Sequence, residues 1–108
     1  MKIKKQVELP TGLTVSFWTI EAITINYKDE LVIIDISGSI SRETAPITST
    51  RMVLNNSNGY FTQYFSEGDI RLNAHRFLIE KCNTESKSGI TFMRSDFELN
   101  FSNAEIVE

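Results

Sequence analysis

The histidine and the cysteine of this chain are the residue types best suited to nucleophilic catalysis, and the sequence holds one of each. A cysteine nucleophile needs its base within hydrogen-bond reach. His75 and Cys82 are seven residues apart, which on a helix is about two turns, or roughly 10 Å along the axis. We therefore interpret His75 as a residue on the exposed face of a helix, and Cys82 as a small apolar residue at the helix end.

Metal and phosphate chemistry have equally little support in the sequence. One cysteine and one histidine cannot complete a structural zinc site without carboxylates. The Ser-Gly-Ser sequence at 37–39 lacks the lysine and the glycine spacing of a phosphate-binding loop. Asp29 with Glu30, and Glu67 with Asp69, are predicted in a turn and at a helix start, where acidic residues serve as turn or capping residues. We predict no catalytic residue, no metal and no cofactor, and hence no enzyme.

Composition points to a single folded domain, residues 1–108. Hydrophobic residues make up 41% of the chain and charged residues 23%, which is the ordinary range of globular proteins. The net charge of −3 argues against nonspecific binding of nucleic acid, which depends on Lys and Arg at phosphates. Lys2, Lys4 and Lys5 form a basic cluster that we interpret as a solvated chain end.

The sequence carries no signal for export or for insertion into a membrane. No continuous apolar run follows the N-terminal lysines, so we predict no signal peptide. The longest apolar stretch, Leu31 to Ile34, is far shorter than the roughly 20 residues that cross a bilayer. We expect synthesis in the cytoplasm, with no membrane partner.

Alternation of apolar and polar residues predicts a strand-rich fold. In the second strand the alternation changes phase, since Val15 and Phe17 share one parity and Trp18 and Ile20 the other, so we predict a bulge or bend between Phe17 and Ala22. The third strand begins with four apolar residues and is predicted to be central. The predicted strands are Ile3–Glu8, Leu13–Tyr27, Leu31–Ile40, Ile47–Leu54, Tyr60–Phe65, Ile90–Met93 and Phe97–Phe101.

A helix is predicted over Asp69–Cys82, because Ile70, Ala74, Phe77 and Leu78 recur at helical spacing. An isolated helix of this length is marginal in water, so its apolar face must pack on the sheet. The predicted fold class is mainly β or α+β: an antiparallel sheet or barrel-like sandwich with one helix packed on it.

Aromatic residues are concentrated in the predicted strand Tyr60–Phe65. Adjacent residues of a strand face opposite sides, so one side enters the core and the other is either covered by the same chain or available to a partner. Tyr and Trp are enriched at interface cores. We expect partner contacts at Trp18, Tyr60 and Tyr64, and at the acidic C-terminal end, where Glu105 and Glu108 lie.

Four segments in this order resemble small proteins encoded among the virion and tail genes of tailed bacteriophages. They are LPTGLTVSFWTI at 9–20, YKDELVI at 27–33, SRETAP at 41–46 and LNAHRF at 72–77, followed by a tail with Phe101 and Ala104. The resemblance implies a non-enzymatic structural protein of a phage particle, present in several copies. It carries over no catalytic residue.

The sequence therefore favours a virion structural or adaptor protein in the tail, neck or capsid. Its expected partners are other virion proteins or copies of itself, with no small-molecule ligand, and its expected location is the virion after synthesis in the host cytoplasm. The alternative is a small acidic inhibitor or host-takeover protein that binds one host protein. Stoichiometry separates the two, since a virion component recurs in each particle and an inhibitor is absent from it. A pocket that held His75 together with carboxylates would instead favour an enzyme.

Overall fold

The computed structural model describes residues 1–55, 59–81, 90–92, 101 and 103–108. It contains six strands and two helices in these residues. The strands are β1 (Lys2–Glu8), β2 (Thr14–Asn26), β3 (Leu31–Ser39), β4 (Thr48–Leu54), β5 (Ile90–Phe92) and β6 (Glu105–Val107), and the helices are α1 (Tyr60–Phe65) and α2 (Ile70–Lys81). The strands form one sheet in the order β5-β4-β3-β2-β1-β6, with antiparallel pairing throughout. This confirms the predicted antiparallel α+β fold, with two helices in place of one.

The phase change in β2 is a bulge, and it lies inside the predicted interval. Ile20 pairs with Ile36 and Ala22 with Asp35, so Glu21 is an extra residue with no partner position on β3. The inserted residue returns the following isoleucines to the helix-covered face: Ile23 stands opposite Ile34. An inserted residue is one way in which a strand with a side-chain period of two changes phase.

β3 is the central strand, as predicted. It pairs with β2 and with β4 along nearly its whole length, and its residues Val32, Ile34 and Ile36 are at most 1% exposed. Gly38 ends this buried row. A Cβ there would lie 2.7 Å from Val15 Cγ1 and 2.8 Å from the ring of Trp18, so the indole packs where only glycine leaves space.

The aromatic segment is a helix, so the predicted strand over Tyr60–Phe65 is wrong. Phe61, Tyr64 and Phe65 are buried, and residues three and four apart share one side of a helix. A six-residue run with aromatics in two adjacent pairs satisfies a helical face as well as a strand. The packing decides between them, since Tyr64 and Phe65 both contact the ring of Phe77 in α2, at 5.3 and 5.5 Å between centroids.

Helix α2 confirms the predicted helix, and Asp69 caps its N-terminus. Oδ1 of Asp69 accepts a hydrogen bond of 3.2 Å from the backbone N–H of Leu72, which satisfies one of the free N–H groups of the first turn. The exposed position predicted for His75 is wrong: its side chain is 1% exposed. His75 lies three residues before Leu78, on the same side of the helix, and the covered arc of α2 is wide enough to include both.

The acidic C-terminal end pairs with the other end of the same chain. β6 lies against β1, with Lys2 opposite Val107 and Lys4 opposite Glu105, and the second of these pairs sets opposite charges side by side across the strands. The lysine cluster is therefore part of the sheet and not a frayed end. Phe101 is buried against Trp18 with its ring edge-to-face at 6.0 Å, while the rest of the predicted strand Phe97–Phe101 lies outside the described residues.

Neither helix of the described part of the chain is long and apolar enough to cross a membrane.

Candidate contact surface

His75 is enclosed in the core and is not placed to act as a catalytic base. Its Nδ1 lies 2.7 Å from the carbonyl oxygen of Arg71. A carbonyl only accepts hydrogen bonds, so Nδ1 carries the proton. Nε2 is buried without a hydrogen-bond partner among the described residues. Burial lowers the pKa of His75 below its usual value because the charged imidazolium is poorly solvated there. Cys82 lies outside the described residues, so its distance from His75 is not part of this geometry.

Asp29 and Asp69, one from each predicted acidic pair, occupy a turn and a capping position. Asp29 bonds with its backbone N–H and a carboxylate oxygen to the side chain of Asn26, at 3.1 and 3.2 Å, and Asp69 caps α2. In the described ranges no three His, Cys, Asp or Glu side chains converge on a point that could hold a metal ion.

Two open grooves are lined by described residues, and His75 lines neither of them. One, of about 400 Å³, lies beside the β2 bulge and is lined by Ile20, Glu21, Ala22, Ile23 and Arg71. The other, of about 390 Å³, lies along β1 and β6 and is lined by Lys4, Lys5, Gln6, Asn103 and Glu105. Neither of these two grooves brings together a nucleophile and a base.

Trp18, which the sequence predicts as a contact residue, lies in the centre of the core. Its side chain is 0% exposed, and its Nε1 donates a hydrogen bond of 2.9 Å to the carbonyl oxygen of Lys5. That carbonyl belongs to the irregular part of β1, between Lys4 and Val7, where the register against β2 shifts. The indole thus holds β1 to the sheet, and a partner could reach it only if the sheet opened.

Tyr64 and Tyr60 join the two helices. Tyr64 is 5% exposed, and its hydroxyl donates a hydrogen bond of 2.7 Å to Oε1 of Glu80. Burial, and then the carboxylate that accepts this bond, raise the pKa of Tyr64. Tyr60 is half-buried; its ring packs 5.7 Å from that of Phe77 and lies under Nζ of Lys81 at 5.5 Å. The aromatic segment thus lies largely in the core. This is one of the two alternatives that the sequence left open, cover by the same chain or contact with a partner.

Glu105 and Glu108 are exposed. Of the five predicted contact residues, these two and the half-buried Tyr60 remain accessible to a partner. Glu105 already stands opposite Lys4 in the sheet, so its carboxylate has a neighbour of opposite charge within the chain.

The exposed apolar side chains lie elsewhere, at the ends of the sheet. Four large hydrophobic residues of the described chain are strongly exposed: Leu13 (48%), Ile40 (46%), Ile47 (42%) and Tyr27 (65%). Alternate turns of an antiparallel meander lie at the same end of the sheet. The β1–β2 turn with Leu13 and the β3–β4 loop with Ile40 and Ile47 therefore share one end, and the β2–β3 turn with Tyr27 lies at the other. We call Leu13, Ile40 and Ile47 the loop-end surface.

A polar rim borders the loop-end surface. The β3–β4 loop is held by Ser41 and Thr44, since the backbone N–H of Ser41 donates to Oγ1 of Thr44 at 3.0 Å and Oγ1 of Thr44 donates to the Ser41 carbonyl at 3.1 Å. Arg42 places its guanidinium 5.6 Å from the ring centroid of Phe17. An apolar centre with a polar, preformed border is the usual composition of a protein-binding surface.

The face of the sheet opposite the helices carries polar side chains that pair with one another. Arg51 Nε bonds to Oδ1 of Asp35 at 2.7 Å, and the hydroxyl of Ser37 donates to Oε1 of Glu21 at 2.5 Å. Side chains that satisfy each other in this way gain little by exchanging their partners for those of another protein.

The sequence pattern does not predict the loop-end surface, because its three residues are the end residues of predicted strands. Leu13 and Ile47 each follow closely after a proline, Pro10 and Pro46. A large apolar residue next to a turn signal was the available clue, since turn residues lie at the surface.

Comparison of this chain with protein-family models, with characterised proteins and with solved structures gives no match.

Proposed function

We propose that this chain is a non-enzymatic protein-contact component of a phage particle, a structural or adaptor protein that binds a neighbouring particle protein through the loop-end surface. The observation that carries the contact role is the gathering of Leu13, Ile40 and Ile47 at one end of the sheet, each 42–48% exposed. The link to a phage particle rests on the resemblance of four sequence segments to small virion and tail proteins.

Magnitudes favour repeated weak contacts over one strong contact. Full burial of a Leu or Ile side chain is worth roughly 1.5–3 kcal/mol, so completing the burial of three half-exposed side chains contributes only a few kcal/mol. The cost of association alone is of that order or more. A component that is present in several copies can overcome this by avidity, because contacts in a ring or shell form together.

Quantitative mass spectrometry of purified particles tests the particle assignment. A structural component is expected at a fixed ratio to the other particle proteins. If the chain is made in the infected cell and is missing from particles, the assignment is wrong. Recovery of the chain with one host protein would then support the inhibitor function in its place.

A double variant tests the contact surface. Leu13→Ser with Ile47→Ser is expected to remove the chain from particles, or to reduce its incorporation at least about tenfold, which corresponds to a loss of about 1.4 kcal/mol of binding free energy. Both side chains are exposed, so the thermal unfolding midpoint is expected to stay nearly unchanged. Thr62→Ser with Gln63→Ser on α1, where both residues are exposed, is the matched control. Normal incorporation of the Leu13/Ile47 double variant would contradict the proposed surface.

A further inference from the structure

Among the residues that the structure describes, half of β2 has no strand neighbour on one side; we call this stretch the free edge. β1 pairs with β2 from Thr14 to Trp18, whereas β3 pairs with β2 as far as Asn26. Across the described residues, positions 20–26 of β2 therefore have a strand neighbour on the β3 side and none on the other. Below the bulge, the pairing of β2 with β3 is regular from Ala22 to Asn26. A regular edge with free N–H and C=O groups is a template for another strand.

The free edge carries an apolar strip on its helix-covered face. Ile23 and Ile25 are two residues apart, so they share one face of the strand, and Tyr27, the first residue of the turn after β2, lies on the same side because its ring contacts Phe61 of α1. Ile23 and Ile25 pack against the core yet stay half-buried. Tyr27 is 65% exposed, although its ring touches that of Phe61 edge-to-face at 5.9 Å. These three residues, the edge strip, are incompletely covered on the side where β2 has no neighbour.

The groove beside the free edge has a cation, and the turn next to the edge has anions. Arg71 lines the groove together with Ile20 and Ile23, and its guanidinium forms no ion pair with a described residue. The turn that follows β2 contains Asp29 and Glu30. The groove thus has one cation and one anion, Arg71 and Glu21, and the turn has one cation, Lys28, beside its two anions.

We propose that two copies of the chain pair through this edge, β2 against β2, antiparallel and about a two-fold axis near Ile25. In this register Ile25 faces Ile25 of the second copy, and Tyr27 of each copy covers Ile23 of the other. Directly opposed residues of antiparallel strands lie on one face, so both pairs fall on the helix-covered side. The sheet continues across the axis, and the groove is filled by the turn of the second copy.

Charge complementarity favours a second copy of the chain as the partner at the free edge. Antiparallel pairing about Ile25 brings the turn at 28–30 of one copy beside positions 20–22 of the other. The acidic turn then approaches Arg71, and Lys28 approaches Glu21. A two-fold axis repeats every favourable contact, so one complementary pair of features stabilises the dimer twice.

The pairing concerns a different end of the sheet from the loop-end surface and stands independently of the proposed function. It spans about five residues of each strand. The area that each copy buries is therefore smaller than the roughly 800 Å² that each partner buries in a standard stable complex. We therefore expect a reversible dimer with a dissociation constant in about the micromolar range.

Sedimentation-velocity ultracentrifugation of the full chain tests the dimer. At about 0.1–100 µM, a range that brackets micromolar affinity, the mass is expected to rise with concentration from 12.3 kDa toward twice that value. Tyr27→Lys removes a largely exposed ring and sets a charge against Ile23 of the second copy. It is expected to weaken the dimer at least about tenfold. Ile25→Lys opposes two ammonium groups across the axis and is expected to abolish the dimer, with circular dichroism to verify the fold.

Leu13→Lys is the matched control, since it makes the same kind of change at the other end of the sheet. It is expected to leave the dimer intact and to impair only binding at the loop-end surface. A wild-type chain that stays monomeric throughout, or a dimer that survives both Tyr27→Lys and Ile25→Lys, overturns the proposal. If the wild type is monomeric and Tyr27→Lys instead abolishes binding of another particle protein, the edge accepts that protein and the two-fold pairing is wrong.

Discussion

Large apolar side chains are buried at the centre of the helix-covered face and exposed at the ends of the sheet. At the centre, Trp18 is 0% exposed and fits against a glycine, while at one end Tyr27 is 65% exposed. Leu13, Ile40 and Ile47 at the other end are left about half uncovered. Apolar residues that the helices cover stabilise the fold, and apolar residues left largely uncovered at the ends of the sheet are available for contact with another molecule.

The largest expected effect comes from truncation at the centre. Trp18→Ala removes a fully buried indole and its hydrogen bond to Lys5, and we expect it to lower the free energy of unfolding by about 3–5 kcal/mol. Tyr27→Ala is the counterpart at the end of the sheet, where we expect a loss of about 1 kcal/mol or less. Chemical denaturation of both variants measures the contrast. Equal losses would mean that the two regions do not differ as described.

A smaller effect is expected from filling the space that Gly38 leaves. Gly38→Ala places a methyl group under 3 Å from Val15 and from the Trp18 ring, and both are enclosed side chains that cannot retreat into solvent. Overpacking of this kind costs about 1–3 kcal/mol. Gly12→Ala is no control, since that glycine has a positive φ of 90°; Ser49→Ala, on the polar face of β4, is the better one. A Gly38→Ala protein as stable as the wild type would show that the indole has room to move.

The smallest expected effect is a pH dependence at His75. Burial lowers the pKa of the folded state, whereas the unfolded chain has a histidine pKa of about 6.5. The unfolded state therefore binds the proton first as the pH falls, so stability is complete above about pH 6.5 and declines below it, by at most about 1.4 kcal/mol per pH unit. Denaturation of the wild type and of His75→Leu at several pH values measures the difference. A wild type and a variant with parallel pH profiles would contradict a neutral, buried His75.

The local sequence pattern predicted the structure correctly where its periodicity is compatible with one arrangement of the chain. The phase change in β2 required a bulge or a bend, and the structure has a bulge at Glu21, inside the predicted interval. The four apolar residues that open β3 required cover on both faces and a central position. The helix from Ile70 to Lys81 followed from its spacing and its cap. In each case alternation or helical spacing left no second arrangement that buries the same residues.

Pattern failed where two arrangements bury the same residues. The aromatic pairs between Tyr60 and Phe65 suit a strand or a short helix, and only contact with Phe77 distinguishes them. Trp18 and Tyr64 were expected at an interface because aromatic residues are common there, yet each has its polar atom satisfied inside the chain. Residue type does not tell whether the covering surface belongs to the same chain or to another.

The amino-acid sequence by itself determined that the chain is an antiparallel α+β domain, with a bulged second strand, a central third strand and a capped helix. Those features depend on interactions between near neighbours along the chain, which periodicity and capping residues record. Only the tertiary structure decided that His75 is buried, that Glu105 near the C-terminus stands opposite Lys4 near the N-terminus, and that Leu13, Ile40 and Ile47 share one end of the sheet. These features depend on which segments, distant in the sequence, come into contact, and the local sequence pattern does not encode those contacts.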